Sequence, residues 1–242
     1  MRDYEKEKEN RVEFIRRVLS DSGARGIVFG NSGGKDATLV GILCKLACED
    51  TVGLIMPCGS MRNFCEDAED AVAVSEQYGI EHRTVDITSV AAAIRKELAA
   101  AANLTKAAVT NIAPRLRMTT LYAVAASEGR VVAGTGNRSE RYMGYFTKWG
   151  DGAFDFNPIA DLTVTEIYEF LEFFGAPCQI IEKAPSAGLY DGQTDEADMG
   201  VTYKSIDELL LSGRCPEADL EIIERYHRTS EHKRKQPALF EM

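Results

Sequence analysis

Gly26-Ile27-Val28-Phe29-Gly30 runs without a break into Asn31-Ser32-Gly33-Gly34-Lys35-Asp36-Ala37, and the reading of this stretch decides the fold. The first five residues are a short apolar run ending in glycine, the pattern of a buried strand. The next seven open a helix that carries Leu39, Ile42, Leu43 and Leu46 on one face. Adjacent glycines let backbone N–H groups converge on an anion, and a helix N-terminus adds favourable partial charge. Ser32 adds a hydroxyl donor. Asp36 would repel a bare phosphate but suits a Mg2+ ion that the phosphates share. The spacing is not the Walker A pattern G-x-x-x-x-G-K-[ST]. A plain glycine turn with a serine cap competes with the phosphate reading, which the strand–loop–helix context favours.

Outward from that stretch, strands and helices alternate. Residues 52–56 read as a second buried strand, and Glu66–Tyr78 as a helix with an acidic first turn and Gly79 as its left-handed stop. A third strand is expected over 83–87, then a helix from Ser89 with Val90, Ile94, Leu98 and Ala101 at helical spacing. Pro114 suits the first turn of a helix that carries Met118, Leu121, Tyr122 and Ala125 on one face. Val131-Val132-Ala133-Gly134 reads as the fourth strand. Thr163-x-x-Glu166 forms a capping box before a helix with Val164, Ile167, Tyr168 and Leu171 inward. Ser205-x-x-Glu208 and residues 216–227 supply two late helices. This order predicts an α/β fold, a parallel sheet with helices on both faces, in a single domain spanning 1–242. Ligands of such sheets bind beyond the carboxyl ends of the strands, where Gly30 and Gly134 lead.

Composition excludes several classes. The 242 residues carry 28 Lys and Arg against 38 Asp and Glu, a net charge of −10. That surface repels a phosphate backbone, so no nucleic-acid partner is expected, though a local basic pocket for one small anion is compatible with it. The uncharged runs fall short of the roughly 18 residues a membrane span needs, and the charged start, Met1-Arg2-Asp3-Tyr4-Glu5-Lys6, has no apolar signal segment. Cys44, Cys48, Cys58, Cys65, Cys178 and Cys215 include no C-x-x-C pair. Reduced thiols in a cytoplasmic protein are the expectation. His82, His227 and His232 lie in different segments, which leaves no H-E-x-x-H metal motif.

The loop Ser32-Gly33-Gly34-Lys35-Asp36-Ala37 resembles the S-G-G-x-D-S loop of the N-type ATP pyrophosphatases, whose fold is the Rossmann-like one named for adenine nucleotide alpha hydrolases. Further blocks narrow the resemblance: Asn111-Ile112-Ala113-Pro114-Arg115-Leu116-Arg117-Met118, Gly134-Thr135-Gly136-Asn137-Arg138-Ser139-Glu140, and Thr147-Lys148-Trp149-Gly150-Asp151-Gly152 with Asp155. Later come Ala184-Pro185-Ser186-Ala187-Gly188-Leu189, Gly192-Gln193-Thr194-Asp195-Glu196 and Glu231-His232-Lys233-Arg234. In this order they resemble the ammonia-dependent NAD synthetases, from about residue 10 to 240.

The resemblance implies a ligase of NAD biosynthesis, taking ATP, deamido-NAD and ammonia as substrates and Mg2+ as cofactor. The nicotinate carboxylate attacks the ATP α-phosphate, pyrophosphate leaves, and ammonia displaces AMP from the acyl-adenylate. It implies that Gly30, Asn31, Ser32, Gly33, Gly34, Lys35, Asp36 and Ala37 form the ATP loop, with Thr135 and Ser186 as further ATP contacts. Asp36 and Glu140 match magnesium ligands. Arg115, Lys148, Asp155, His232 and Lys233 match contacts to deamido-NAD, and Asp151 is the candidate for positioning or deprotonating ammonium. Family members are homodimers, so a homodimer is expected. The 242 residues leave no room for a glutaminase beside this fold, so free ammonia is expected as donor.

Two positions depart from the family. Ala37 stands where Ser is usual, and Val164 where some members have a Lys that contacts ATP; Lys35 is placed to supply charge nearby. These departures motivate a competing reading, a non-catalytic nucleotide-binding protein. Retention of both candidate metal carboxylates argues against it. An ATP pyrophosphatase acting on another substrate is the remaining alternative.

Overall fold

The computed structural model describes residues 2–59, 65–183, 185–186 and 194–240. Ala184, Ala187, Gly188, Leu189, Gly192 and Gln193, quoted above from the two late sequence blocks, lie outside the described residues.

Four parallel strands form one sheet in the order β3-β2-β1-β4, with β1 at Gly26–Gly30, β2 at Thr51–Ile55, β3 at Glu81–Thr84 and β4 at Arg130–Ala133. Strand β1 occupies the middle, with Val28 aligned to Val52 on one side and to Val132 on the other. Its side chains alternate between the faces, as the period of two requires. Ile27 and Phe29 join one apolar cluster with Leu39, Leu43, Ile167 and Phe170. Val28 joins another with Val52, Leu54, Ala125 and Val132. Both faces are therefore covered: helices α1 (Tyr4–Ser22) and α2 (Lys35–Ala47) lie on one side and α6 (Ile112–Glu128) on the other. Full burial of a side chain such as Phe29 contributes about 1.5–3 kcal/mol.

Local signals placed several elements well. Helix α3 (Glu66–Tyr78) ends at Gly79 with φ of 64°, its N–H bonded back to the last turn. Helix α8 (Val164–Phe174) begins in the Thr163/Glu166 capping box, with Val164, Ile167 and Leu171 buried.

Other expectations shift. Strand β3 starts at Glu81, two residues ahead of the expected start; its polar sequence hides a strand that is defined by backbone pairing of Val52 with Glu81. The stretch beyond it still follows β2, since the Val85 N–H donates to the Ile55 carbonyl at 2.8 Å. Leu46, in the last turn of α2, is 46% exposed. Helix α4 (Thr88–Ala101) buries only Ala91, leaving Val90 49% and Leu98 40% exposed. A short α5 (Lys106–Thr110) follows it. Helix α11 (Tyr203–Ser212) is capped by Thr202 rather than Ser205, whose hydroxyl turns instead to Asp219 at 2.6 Å.

A third apolar cluster, built from helices alone, was not anticipated. Met143, Val164, Met199, Tyr203, Ile206 and Ile223 gather there. They come from α7 (Arg138–Met143), α8, α10 (Asp195–Met199), α11 and α12 (Glu217–Thr229), while α9 (Cys178–Glu182) joins the sheet core and α13 (Glu231–Arg234) closes the described chain's helices. Val164 thus faces apolar neighbours, as its helix position suggested. No helix among the described residues is long and apolar enough to cross a membrane.

Candidate active site

A cavity of about 840 Å3 opens at the carboxyl ends of β1 and β4 and continues to the C-terminal helices. Gly30, Asn31, Ser32, Gly34, Lys35, Asp36 and Ala37 line one end of it, with Thr135 and Glu140 beside them. Ser186, Asp151 and Lys233 also line it.

The loop after β1 is shaped by Gly33. Its φ of 68° is left-handed, and a Cβ there would stand 2.3 Å from the Asp67 carbonyl oxygen, so only glycine fits. Asn31 points away from the expected phosphate position. Its amide donates to the Ala71 carbonyl at 3.1 Å and to Ser75 Oγ at 3.0 Å, tying the loop to α3. The N–H groups of Gly33 and Gly34 donate within the loop, to Asn31 Oδ1 and Ser32 Oγ, both at 3.3 Å. Helix α2, by contrast, has no side-chain cap at its start. Its first-turn N–H groups are the donors that the fold presents to an anion, rather than those of the two glycines.

Charge gathers where the β1 and β4 corners meet. Lys35 Nζ pairs with Asp36 Oδ2 at 2.6 Å. Asn137 is a fully buried clamp: its amide nitrogen donates to Asp36 Oδ1 at 3.0 Å, and its carbonyl oxygen accepts from the Glu140 N–H at 2.9 Å. Glu140 Oε2 accepts in return from the Asn137 N–H, which completes a capping box at the start of α7. Burial and the Asp36 charge push the Glu140 carboxyl well above its ordinary pKa. Burial opposes the Lys35 charge, yet Asp36 and Glu140 more than offset it and raise the Lys35 pKa. Lys35 is thus engaged by the acidic pair, which places its charge at the start of α2. Asn137 and Asp195, whose Oδ2 accepts from Tyr203 Oη at 3.1 Å, were quoted in the sequence blocks without a role.

At the opposite end, Asp151 Oδ1 accepts from the Thr147 N–H at 3.0 Å. The enclosing walls raise its pKa, against the opposing effect of that bond and of Lys233 and Arg117. Lys233 Nζ donates to the carbonyls of Gly144 and Phe146, both at 2.8 Å, and burial lowers its pKa. Arg117 sits nearby with Nε bonded to the Met56 carbonyl at 3.1 Å, a cation that the sequence reading quoted but did not assign. Between these groups Trp149 holds a φ of 61°, left-handed for a non-glycine residue, and its indole is 52% exposed under Lys148 Nζ.

Gly33 and four of the five expected deamido-NAD contacts do not line this cavity. Arg115, Lys148 and His232 form a chain beside it: Arg115 Nη2 reaches the Lys148 carbonyl at 3.4 Å, and Lys148 Nζ the His232 carbonyl at 2.8 Å. Asp155 is engaged in the fold. Its carboxylate accepts from the Val132 N–H at 2.7 Å and from Tyr122 Oη at 3.1 Å, extending the sheet past β4. Spacing cannot show such tertiary commitments. Lys183, unremarked in sequence, bridges Asp67 at 2.7 Å and Asp70 at 2.6 Å across the loop that Gly33 shapes.

Comparison with known proteins gives one direction. A family model described as NAD synthase matches residues 7–237. The NH(3)-dependent NAD(+) synthetase of Carboxydothermus hydrogenoformans is 44% identical over 238 residues, 97% of each chain. Among solved structures, the NMN synthetase of Francisella tularensis superposes with a TM-score of 0.94 at 35% identity, covering 100% of both chains. The NH3-dependent NAD synthetase of Campylobacter jejuni superposes with a TM-score of 0.82 at 30% identity, again over 100% of both.

Proposed function

Since the chain belongs to the NAD synthase family, we propose that it is an ammonia-dependent NAD synthetase whose cavity hosts both half-reactions. The observation that carries this reading is one continuous cavity joining an uncapped helix start to the Asp151 carboxylate. ATP lies with its phosphates at the first turn of α2, near Ser32, Thr135 and Ser186. The nicotinate carboxylate of deamido-NAD attacks the α-phosphorus, and the P–O bond to pyrophosphate breaks. Ammonia then attacks the carbonyl carbon of the acyl-adenylate, and AMP departs with the C–O electron pair. Holding two anions in line is where such a site gains rate, because orientation and fixed donors replace solvent.

The residues fit a magnesium ion. Asp36 and Glu140 are hard oxygen donors brought together from two βα corners, and the Asp36 charge disfavours that of Glu140, a repulsion that a divalent cation between them would offset. Among the described residues no group of three or more His, Cys, Asp or Glu side chains is arranged as a metal site, so the remaining ligands would come from phosphate and water. When bound, the ion offsets charge on the departing pyrophosphate. Asp151, with its raised pKa, takes the proton from ammonium as the second step begins.

A homodimer is part of the proposal. The exposed apolar Val90 and Leu98 of α4 and the chain of Arg115, Lys148 and His232 outside the single-chain cavity support it. Six free cysteines and the use of ATP support a cytoplasmic location. Sedimentation as a monomer at micromolar concentration would remove the dimer.

Incubation with ATP, Mg2+, deamido-NAD and ammonium should give NAD, AMP and pyrophosphate in equal amounts; ATP bound without AMP formation would overturn the reading. A second reading concerns substrate size. The superposition on an NMN synthetase favours nicotinate mononucleotide as an alternative acceptor of the adenylyl group. Higher kcat/KM for the mononucleotide than for deamido-NAD would select it.

A further inference from the structure

A second cavity, of about 360 Å3, lies behind α7 from the candidate active site. Four arginines line it, Arg2, Arg138, Arg141 and Arg234, against a single acidic residue, Asp161. In a chain of net charge −10 this concentration of positive charge is out of proportion to the surface around it. The volume falls in the range of about 300–1,000 Å3 typical of ligand pockets.

The charges inside are unevenly satisfied. Asp161 is already neutralised, with its oxygens on Arg11 at 2.7 Å and Arg2 at 3.1 Å. Arg2 is likewise held, by Glu166 at 2.6 Å and Glu7 at 3.2 Å. The other three have no carboxylate partner among the described residues. Arg138 donates one N–H to the Leu210 carbonyl at 3.2 Å. Arg234 donates to the carbonyls of Arg141 at 3.3 Å, Tyr142 at 3.2 Å and His227, and to Ser230 Oγ at 2.7 Å, which leaves Nε and one Nη2 hydrogen. Arg141 is exposed and makes no ion pair. A guanidinium carries five N–H donors, so each of the three keeps donors to spare. Burial, and the facing charge of Arg141 against that of Glu231, hold the Arg234 pKa below its ordinary value.

The walls are fixed in place. Tyr142 of α7 stacks on His227 of α12 with ring centroids 4.0 Å apart, and His227 Nδ1 bonds the Tyr142 carbonyl at 2.8 Å. Ser230 and Arg234 tie the C-terminal helices to the end of α7. A cleft lined by one sign of charge focuses the field and raises the local concentration of counter-ions. A singly charged anion would leave most of that charge unmet. A compact anion with several oxygens matches planar guanidinium forks on more than one side.

We propose that this cavity is a binding site for a compact polyphosphate anion, held by Arg138, Arg141 and Arg234. Its position gives it a route to the chemistry. Helix α7 carries Arg138 and Arg141 together with Glu140, and Arg234 follows Lys233 in α13. The site itself does not depend on which reaction the large cavity performs.

Calorimetric titration of the full chain with sodium pyrophosphate tests the proposal. The natural chain should bind two anions, one at α2 and one here, and Arg141→Glu should bind one. Saturation of the natural chain with ATP should leave this second site open. Arg141 has no structural bonds, so the variant should keep the natural circular dichroism spectrum. Should the reversal of charge disturb folding, Arg141→Gln serves, weakening the second site by about tenfold, as expected for one charged hydrogen bond. No pyrophosphate binding by the ATP-saturated natural chain, or the same isotherm in natural and variant chains, would overturn the assignment.

Discussion

The sheet end and the helical end of the large cavity are built on different principles. At the sheet end the anion-facing groups are backbone: the open first turn of α2, set by a glycine loop and by strands paired in register. At the helical end the groups are side chains, Asp151, Lys233 and Arg117, delivered by segments far apart in sequence and fixed by bonds to main-chain carbonyls and N–H groups. Glu140 and Asn137 stand at the seam. A backbone site tolerates side-chain replacement, because its donors survive the change. A side-chain site does not.

The largest effect is expected at the seam. Asp36→Ala and Glu140→Ala each remove one of two oxygen donors for the proposed metal, and turnover should fall by about 100- to 1,000-fold. Steady-state AMP release measures this, and near-natural rates in both folded variants would take the carboxylates out of the site. Asn137→Ala tests the clamp between them. Loss of a buried cap costs about 1 kcal/mol in stability, and release of Asp36 should lower kcat more than it raises KM for ATP.

Asp151→Asn probes the helical end. Removal of a general base typically costs about 100-fold in kcat or more, with KM for ATP unchanged, because the anion-facing donors lie elsewhere. Stability should respond the opposite way. A carboxyl whose folded pKa is raised contributes stability that is complete below its unfolded pKa, near 3.9, and that is lost as pH rises through the folded value. Asparagine still accepts from Thr147 and has no charge to desolvate. The Tm of the variant should therefore gain on that of the natural chain as pH rises from about 4 to about 7, and a constant difference would contradict a raised pKa at Asp151. If kcat were unchanged as well, the side-chain account of this end would fail.

The smallest effect is expected at Ala37→Ser. A hydroxyl bond to a charged phosphate is worth up to about 3 kcal/mol, and with main-chain donors carrying most of the grip kcat/KM for ATP should change by less than roughly a hundredfold. The natural chain should be active without that hydroxyl. An inactive natural chain rescued by serine would mean that the loop does not bind through its backbone.

The same division explains what was legible in sequence. Strand β1, the loop and α2 were readable because apolar runs, glycines and caps are local signals; Gly79 and the Thr163/Glu166 box belong with them. Strand β3 was misplaced because an edge strand reading Glu81-His82-Arg83-Thr84 is defined by its partner's backbone. The exposed Val90 and Leu98 show that helical spacing reports a face, not what covers it. Asp36, Glu140, Asp151 and Lys233 line one cavity although they stand far apart in sequence. Asp155 shows the limit: whether a carboxylate meets a ligand or a strand N–H depends on contacts that no spacing encodes.

The strained residue between the two ends has a practical meaning. Trp149 is the single tryptophan of the chain. Light absorbed by indole alone therefore reports on one loop, the one that holds Lys148 and Asp151. With its ring half in solvent and a lysine ammonium 5.4 Å from its centre, emission should start red-shifted and move when that cation turns toward an arriving anion. The molecule carries its own fluorophore beside the proposed contacts of the second substrate, and a stopped-flow trace would test that placement without a label.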